Sequence, residues 1–389
     1  MKKVLSVVLA LIMVLALCSA AFAVDEKEVK TLQFNEDGKF KIMQINDTQD
    51  TDKMHKKTEK FIKAALEQEK PDLVVVPGDI ANDIFIGANA KKITTCMYNL
   101  GNLLNEAKVP FAITFGNHDH DRSDKLPIAD MMKVFEQFEY CINNEGCDPG
   151  TYNIPIWNSA HTSYALNIYM MDSNNKSGVV SGYEGVRADQ VEWYKQKSDE
   201  LKAANGGKVV PSLVFQHVPV KEIYQFFEKT DATQSNVSIF STNDNSWYKP
   251  IDKYFIDDES VRFVGEAPCS EYFESTGGQY DAWLEKGDII GAFFAHDHVN
   301  SFVGKTDEGI ILGYNGGTGF KAYGNADKRT VRIFEIDENN VENYTTRPVF
   351  YCDVTGEHFS YYISDIMSTA IFGDILRFFC RLFFITSWK

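Results

Sequence analysis

From Lys39 to Asn46 apolar and polar residues alternate, the period of a half-buried strand. Thr58 to Glu69 changes period. Phe61, Ile62, Ala65 and Leu66 fall on one helical face, and Pro71-Asp72 ends the helix. Leu73 to Val76 is a short β-branched run of the kind buried on both faces in parallel sheets. A longer helix is expected over Ala90–Ala107, followed by a buried strand over Pro110–Phe115. This strand–helix–strand–helix–strand order predicts an α/β fold, a parallel sheet covered by helices. Further strands are expected at Thr162–Met171, Val209–Gln216, Ile289–Phe294, Gly309–Tyr314 and Thr330–Ile336, with a helix at Ala188–Ala203. Thr230 to Ser246 is rich in Asn, Ser and Thr and reads as a surface loop.

The two ends of the chain follow other patterns. Lys2 and Lys3 precede an apolar run from Val4 to Leu17, and Ala21-Phe22-Ala23 has the small-x-small form of a cleavage site. Residues 1–23 therefore read as a signal peptide, with the mature chain starting at Val24. The run is shorter than the ~20 residues that span a bilayer. Leu17 sits where a lipoprotein signal would place a small residue before Cys18. A secreted or extracytoplasmic protein is expected. At the other end, Ile366 to Trp388 is strongly apolar, with Asp374, Arg377 and Arg381 forming one narrow polar stripe on a helix. Those charges argue against a spanning helix. The segment either packs on the domain, the favoured reading, or makes contact with a membrane surface. One domain is expected over residues 31–347, with residues 348–389 as a C-terminal extension.

A hydrophobic content of 44% with 13% aromatics supports a packed core. The formal charge of −16 excludes a general attraction for nucleic acid or anionic lipid. It does not exclude a phosphate-bearing substrate, because bound metal ions supply local positive charge. None of the seven cysteines forms a Cys-x-x-Cys pair, so a zinc ribbon is not supported. Cys141 and Cys147 share a turn-rich loop and could be free or bonded in an exported protein. Three sequons begin at Asn46, Asn236 and Asn343, a weak pattern.

The chemistry lies at strand ends. Asp47 follows the first strand in Gln-Ile-Asn-Asp-Thr-Gln, and Asp79 follows the second in Val-Val-Val-Pro-Gly-Asp. Asn117 and His118 follow the third in Thr-Phe-Gly-Asn-His-Asp. His217 ends Leu-Val-Phe-Gln-His, and His296 and His298 end Ala-Phe-Phe-Ala-His-Asp-His. Open α/β sheets bind ligands outside the carboxyl ends of their strands, so five strands would deliver polar groups to one edge. A mixture of imidazole, carboxylate and amide suits Fe, Mn or Zn. Two such ions, about 3.5–4 Å apart, can hold the attacking and leaving oxygens of a phosphoryl displacement, and Asp79 is the natural bridging carboxylate. Glycines before Asp79 and Asn117 let the backbone turn tightly.

In their order, these motifs resemble the signature of calcineurin-like metallophosphoesterases. The run from Ala295 to Gly324, with Ala-His-Asp-His-Val-Asn and Leu-Gly-Tyr-Asn-Gly-Gly-Thr-Gly-Phe-Lys-Ala-Tyr-Gly, is similar to the purple-acid-phosphatase-like branch. The resemblance spans roughly Lys39 to Glu335 and implies a four-layered α/β/β/α sandwich of two mixed sheets. It implies two metal ions, one held by Asp47, Asp79 and His298, the other by Asp79, Asn117, His217 and His296. It makes His118 the catalytic group that protonates the leaving oxygen or holds the phosphate, with Asn82 or Asp83 orienting it. The reaction implied is hydrolysis of small phosphomonoesters or phosphodiesters by a metal-bound hydroxide. A nucleotide or cyclic-nucleotide phosphodiesterase is the enzymatic alternative. A non-catalytic surface protein that keeps the cage is the alternative of another class.

The chain departs from the family pattern at one ligand position. Gln49 stands where the family has a metal-binding histidine, and an amide oxygen is a poorer donor to borderline metals. That site would bind its ion more loosely, or Asp50 or Asp52 would assist. Ile80 to Asp83 contains no tyrosine, so the purple chromophore is not implied. Asp119 is a candidate supporting residue, Tyr314 and Asn315 candidates for the pocket wall or a turn. His55, His120, His161 and His358 are expected to be structural or at the surface.

Overall fold

The computed structural model describes residues 30–82, 89–175, 182–231, 238–241, 244–271 and 277–359. The expected signal peptide, Asp83, the Asn236 acceptor and the apolar segment from Ile366 lie outside these residues.

Two mixed sheets carry the architecture. The six-stranded sheet runs β17 (Thr345–Phe350), β16 (Thr330–Asp337), β2 (Lys39–Gln44), β3 (Leu73–Pro77), β4 (Phe111–Thr114) and β5 (Cys141–Ile142). β2 to β5 are parallel neighbours, while β16 pairs antiparallel with both β2 and β17. The eight-stranded sheet runs β1 (Leu32–Gln33), β6 (Tyr152–Trp157), β7 (Tyr164–Met171), β8 (Ser212–Gln216), β13 (Ile289–Phe294), β15 (Ile311–Tyr314), β14 (Asn300–Lys305) and β12 (Phe263–Val264). Its centre, from β7 to β15, is parallel.

Side-chain alternation separates the layers. On the eight-stranded sheet Leu213, Phe215 and Phe293 face the other sheet, and Phe334 of β16 meets Phe215 and Phe293 at ring-centroid distances of 5.3 and 4.5 Å. Val214, Ala292, Phe294 and Leu312 point the opposite way, onto Tyr194 of helix Ala188–Ala204 and Trp283 of helix Gln279–Lys286. The outer face of the six-stranded sheet is covered by helices Lys56–Glu69 and Ala90–Glu106, which bury Phe61, Ile62, Ala65 and Leu66, and Ile93, Met97, Leu100 and Leu104. Burying each large apolar side chain contributes about 1.5–3 kcal/mol. The result is the α/β/β/α sandwich.

Several expectations change. Thr230–Ser246 is not wholly a loop: Ile239–Ser241 is a strand (β10), paired antiparallel to β11 (Ser246–Pro250), which also pairs with β9 (Phe227–Thr230). Cross-strand packing of Phe240 on Trp247, with ring centroids 5.3 Å apart, supports this polar stretch as sheet. The expected boundary at 347/348 falls inside β17, and helix Tyr351–Thr355 follows it directly. Between the two states left open for Cys141 and Cys147, free or bonded, the structure has both as free thiols.

Candidate metal centre

The loops after β2, β3, β4, β8 and β13 converge at one edge of the sandwich. Two glycines permit this. A Cβ at Gly78 would lie 2.2 Å from the backbone nitrogen of Gly116, and one at Gly116 would lie 2.2 Å from Asp79 Oδ1. Only glycine at both positions lets the loops after β3 and β4 cross in contact. Asp119 then ties them, accepting from the backbone nitrogens of Ile80 (3.1 Å), Ala81 (3.2 Å) and Gly116 (3.0 Å). The carboxyl is pushed up to about 6, by burial and by the nearby charge of Asp79. Asp119 is therefore a supporting residue behind the centre.

Strain is concentrated here. Asp47, Gln49, Asp79 and His296 all take left-handed backbone, with φ of 50°, 34°, 52° and 79°. Such conformations cost of order 1–3 kcal/mol each and persist where the surroundings fix them.

Five side chains meet around Asp79. Its Oδ2 lies 3.2 Å from His217 Nε2 and accepts from Gln49 Nε2 at 2.9 Å. His217 Nε2 is in turn 3.2 Å from His296 Nδ1. Asp47 Oδ1 lies 3.3 Å from His298 Nε2 and 3.9 Å from His217 Nε2. Asp79, His217 and His296 form one group with ligand atoms within 4.8 Å of one another, and Asp47, Asp79 and His298 form a second, so Asp79 is common to both. All five are buried.

The supporting contacts set the ring orientations. His217 Nδ1 is 3.0 Å from the carbonyl of Pro77, and His298 Nδ1 is 2.7 Å from that of Tyr323. A ring nitrogen facing a carbonyl must donate, which leaves each Nε2 lone pair turned inward, the arrangement of metal-ligating imidazoles. The Tyr323 ring stacks on His298 at 4.1 Å, and Tyr183 stands edge-on to His296 at 4.5 Å. Burial raises the carboxyls of Asp47 and Asp79, but the neighbouring imidazoles outweigh it and hold both below their ordinary range. Burial likewise opposes a charge on His217, yet Asp79 and Asp47 prevail and push it up to about 9, placing on Nε2 a proton that a bound cation would displace. His296 falls to about 3, through burial and the adjacent His217.

The donor set fits divalent or trivalent ions. Asn117, fully buried, has neither side-chain polar atom in a hydrogen bond, and Asp47 Oδ1 likewise lacks a hydrogen bond. Buried polar atoms are almost always paired, so orphans beside two carboxylates and three inward-facing imidazoles are what a bound cation would satisfy.

His118 is the second residue of the one-turn helix Asn117–His120, its backbone nitrogen donating to Asp79 Oδ1 at 2.9 Å. Its ring is partly exposed, with Nδ1 3.1 Å from Asp121 Oδ2. Asp121 was not among the sequence candidates, although its i+3 spacing from His118 was a usable signal. Asn82, one of the expected orienting residues, donates its amide to the Lys321 carbonyl at 3.2 Å. Asp50, an alternative ligand beside Gln49, is engaged elsewhere: its oxygens accept from the backbone nitrogens of Thr51 and His55, both at 2.8 Å, and Lys321 Nζ lies 2.9 Å away.

Tyr314 and Asn315 are structural. The Tyr314 hydroxyl donates to Asp297 at 2.6 Å, and Asn315 bonds reciprocally with Asn46, which is itself fully buried. His55 caps the helix Lys56–Glu69 and stacks on Phe320. His120 meets Asp172 at 2.9 Å, His161 stacks on Trp157, and His358 lies against Asp327.

The calcineurin-like phosphoesterase family model matches residues 40–300. "Probable inactive purple acid phosphatase 29" of Arabidopsis thaliana is 26% identical over 349 residues, covering 80% of each chain. "Probable inactive purple acid phosphatase 14" of the same plant is 26% identical over 345 residues, 79% of this chain and 77% of the relative. "Phosphatase DCR2" of Saccharomyces cerevisiae is 25% identical over 346 residues, 80% of this chain but 54% of that protein. With a family model covering well over half its length, the chain belongs to the calcineurin-like phosphoesterases, a family of phosphoric ester hydrolases, in their purple-acid-phosphatase-like branch.

Proposed function

We propose that this chain is an exported, dinuclear metallophosphoesterase that hydrolyses small phosphomonoesters or phosphodiesters. One observation carries the reading: two groups of buried carboxylate and imidazole donors share Asp79. Asp47, Asp79 and His298 would hold the first ion, with Gln49 beside it. Asp79, Asn117, His217 and His296 would hold the second. When bound, the ions would lower the pKa of a water and neutralise the phosphoryl oxygens.

The chain's own groups do the rest. His118 is partly exposed at the rim, beside the centre but oriented by Asp121, so it can reach a leaving oxygen without being a ligand. Its contact with Asp121 favours a proton on Nδ1 and directs Nε2 towards substrate. Tyr183 and Tyr323 cover His296 and His298 and restrict water around the ligands. Export is supported by the sequence pattern of residues 1–23. Among the described residues no helix is long and apolar enough to cross a membrane.

A non-catalytic reading has two supports: the word "inactive" in the plant relatives' names, and Gln49, whose amide donates to Asp79. Metal analysis of the purified mature chain, with rates on an aryl phosphate monoester and diester, separates the two. The proposal expects two ions per chain and turnover that is lost on chelation. Two bound ions with no turnover of either ester would establish the non-catalytic reading. N-terminal sequencing of the exported chain should begin at Val24.

A further inference from the structure

Outside the phosphoesterase centre, three donors of different chemistry meet near the end of the described chain. Asp327, in the turn Ala326–Lys328, Cys352, in helix Tyr351–Thr355, and His358 each offer a ligand atom, all within 4.8 Å of one another. His358 Nδ1 lies 3.3 Å from Asp327 Oδ2. Cys352 is 8% exposed, and its Sγ is also 3.7 Å from Asp353 Oδ1.

The meeting is built by the fold. Gly356 takes left-handed backbone (φ 67°) and turns the chain back after the helix. Glu357 then pairs with Lys60 at 2.5 Å, and the Phe359 ring lies 3.7 Å beneath Lys57 Nζ and 5.8 Å from the Tyr351 ring. His358 is thus fixed between two anchored neighbours, although its side chain is 75% exposed.

We propose that Asp327, Cys352 and His358 form a zinc-type metal site that clips residues 356–359 to the domain. Thiolate, imidazole and carboxylate together are a zinc donor set, and three protein ligands leave a fourth position for water or for Asp353. A simple imidazole–carboxylate contact does not account for the thiol. Two carboxylates, Asp327 and Asp353, gather beside one buried sulfur. A thiol coordinated to a cation is deprotonated, and the surrounding carboxylates then stabilise the assembly. The site shares no residue with the phosphoesterase centre.

The test uses the full mature chain, prepared in a non-thiol reductant and titrated with Zn²⁺ and, separately, with Co²⁺. Wild type should bind one more Zn²⁺ per chain than Cys352→Ser or His358→Ala, whatever the occupancy of the phosphoesterase centre. His358→Ala should weaken that equivalent by more than the roughly 10–100-fold that loss of a supporting contact costs. Because His358 is exposed, this variant should fold and keep wild-type turnover. Co²⁺ should give a thiolate charge-transfer band that Cys352→Ser abolishes. Cys269→Ser should keep the band, although Cys269 lies near His296 and Asp297. Equal Zn²⁺ stoichiometry in wild type and His358→Ala, or a band that survives Cys352→Ser, would overturn the proposal.

Discussion

Replacing His118 with Ala separates chemistry from metal binding. The side chain is 28% exposed, and its ring contact is with Asp121, whereas the link to Asp79 runs through the backbone nitrogen, which alanine retains. The predicted result is a fall in kcat/KM of roughly 10²–10⁴-fold, the usual scale for a general acid. That equals about 3–5 kcal/mol of lost transition-state stabilisation. Metal content should stay at the wild-type level. The assay is a series of aryl phosphates of graded leaving-group pKa. Without a proton donor, poor leaving groups should suffer most, so log kcat/KM should fall more steeply with leaving-group pKa in the variant. Asp121→Asn should act in the same direction but more weakly, because the pair is 28% and 29% exposed and water screens its charge. Loss of metal in His118→Ala, or a loss of rate independent of the leaving group, would refute this assignment.

Gln49→His should tighten the first site. Asp50 is committed to Thr51, His55 and Lys321, so wild type should bind one ion tightly and one loosely, and added Mn²⁺ should raise its activity. Two equal tight sites, unchanged by the substitution, would exclude that asymmetry. Asp79→Ala should strip both ions and lower thermal stability, since binding is coupled to folding. Retention of two ions by mass spectrometry or elemental analysis would end the bridging role. Arg347→Leu should cost about 1 kcal/mol at neutral pH: its half-exposed guanidinium lies 2.6 Å from the buried Glu69, beside which Gln68 and Lys41 remain. Burial raises the Glu69 carboxyl, but Arg347, with Gln68 and Lys41, outweighs it and holds the folded-state pKa below 4.5. The pair's contribution is therefore present above pH 4.5 and lost as pH falls through the lower folded value. Urea midpoints of wild type and variant should converge in acid; a constant gap across pH would show that Glu69 is not the titrating partner.

Certain strands resisted reading for local reasons. β6 contains Pro155, which argues against a sheet interior, yet β1 pairs only with Ile156 and Trp157, so Pro155 lies beyond its neighbour's reach on that side. β17 contains Pro348 and is an edge strand. β14 begins Asn300-Ser301 and includes Gly304, a composition that reads as loop until β15 and β12 supply partners. The helix Ile128–Glu136 buries Met131, Met132 and Phe135, but it is short and starts on Pro127 without a side-chain cap.

By itself the sequence determined the parallel core and the chemistry at its edge. Apolar runs such as Leu73–Val76 must be buried on both faces, and each run ends in a turn whose Asp, Asn or His has no role in the core. Strand direction then places all those ends together. What only the tertiary structure decided were contacts across loops distant in the chain. Gly78 and Gly116 matter because two loops cross within van der Waals contact, a fact of packing and not of either loop. Asp121 faces His118 because a single helical turn follows Asn117. Cys352 meets Asp327 and His358 because Gly356 reverses the chain over Lys57 and Lys60. Local periodicity reports which face of an element is buried, whereas the partner across that face is chosen by the packing of whole layers.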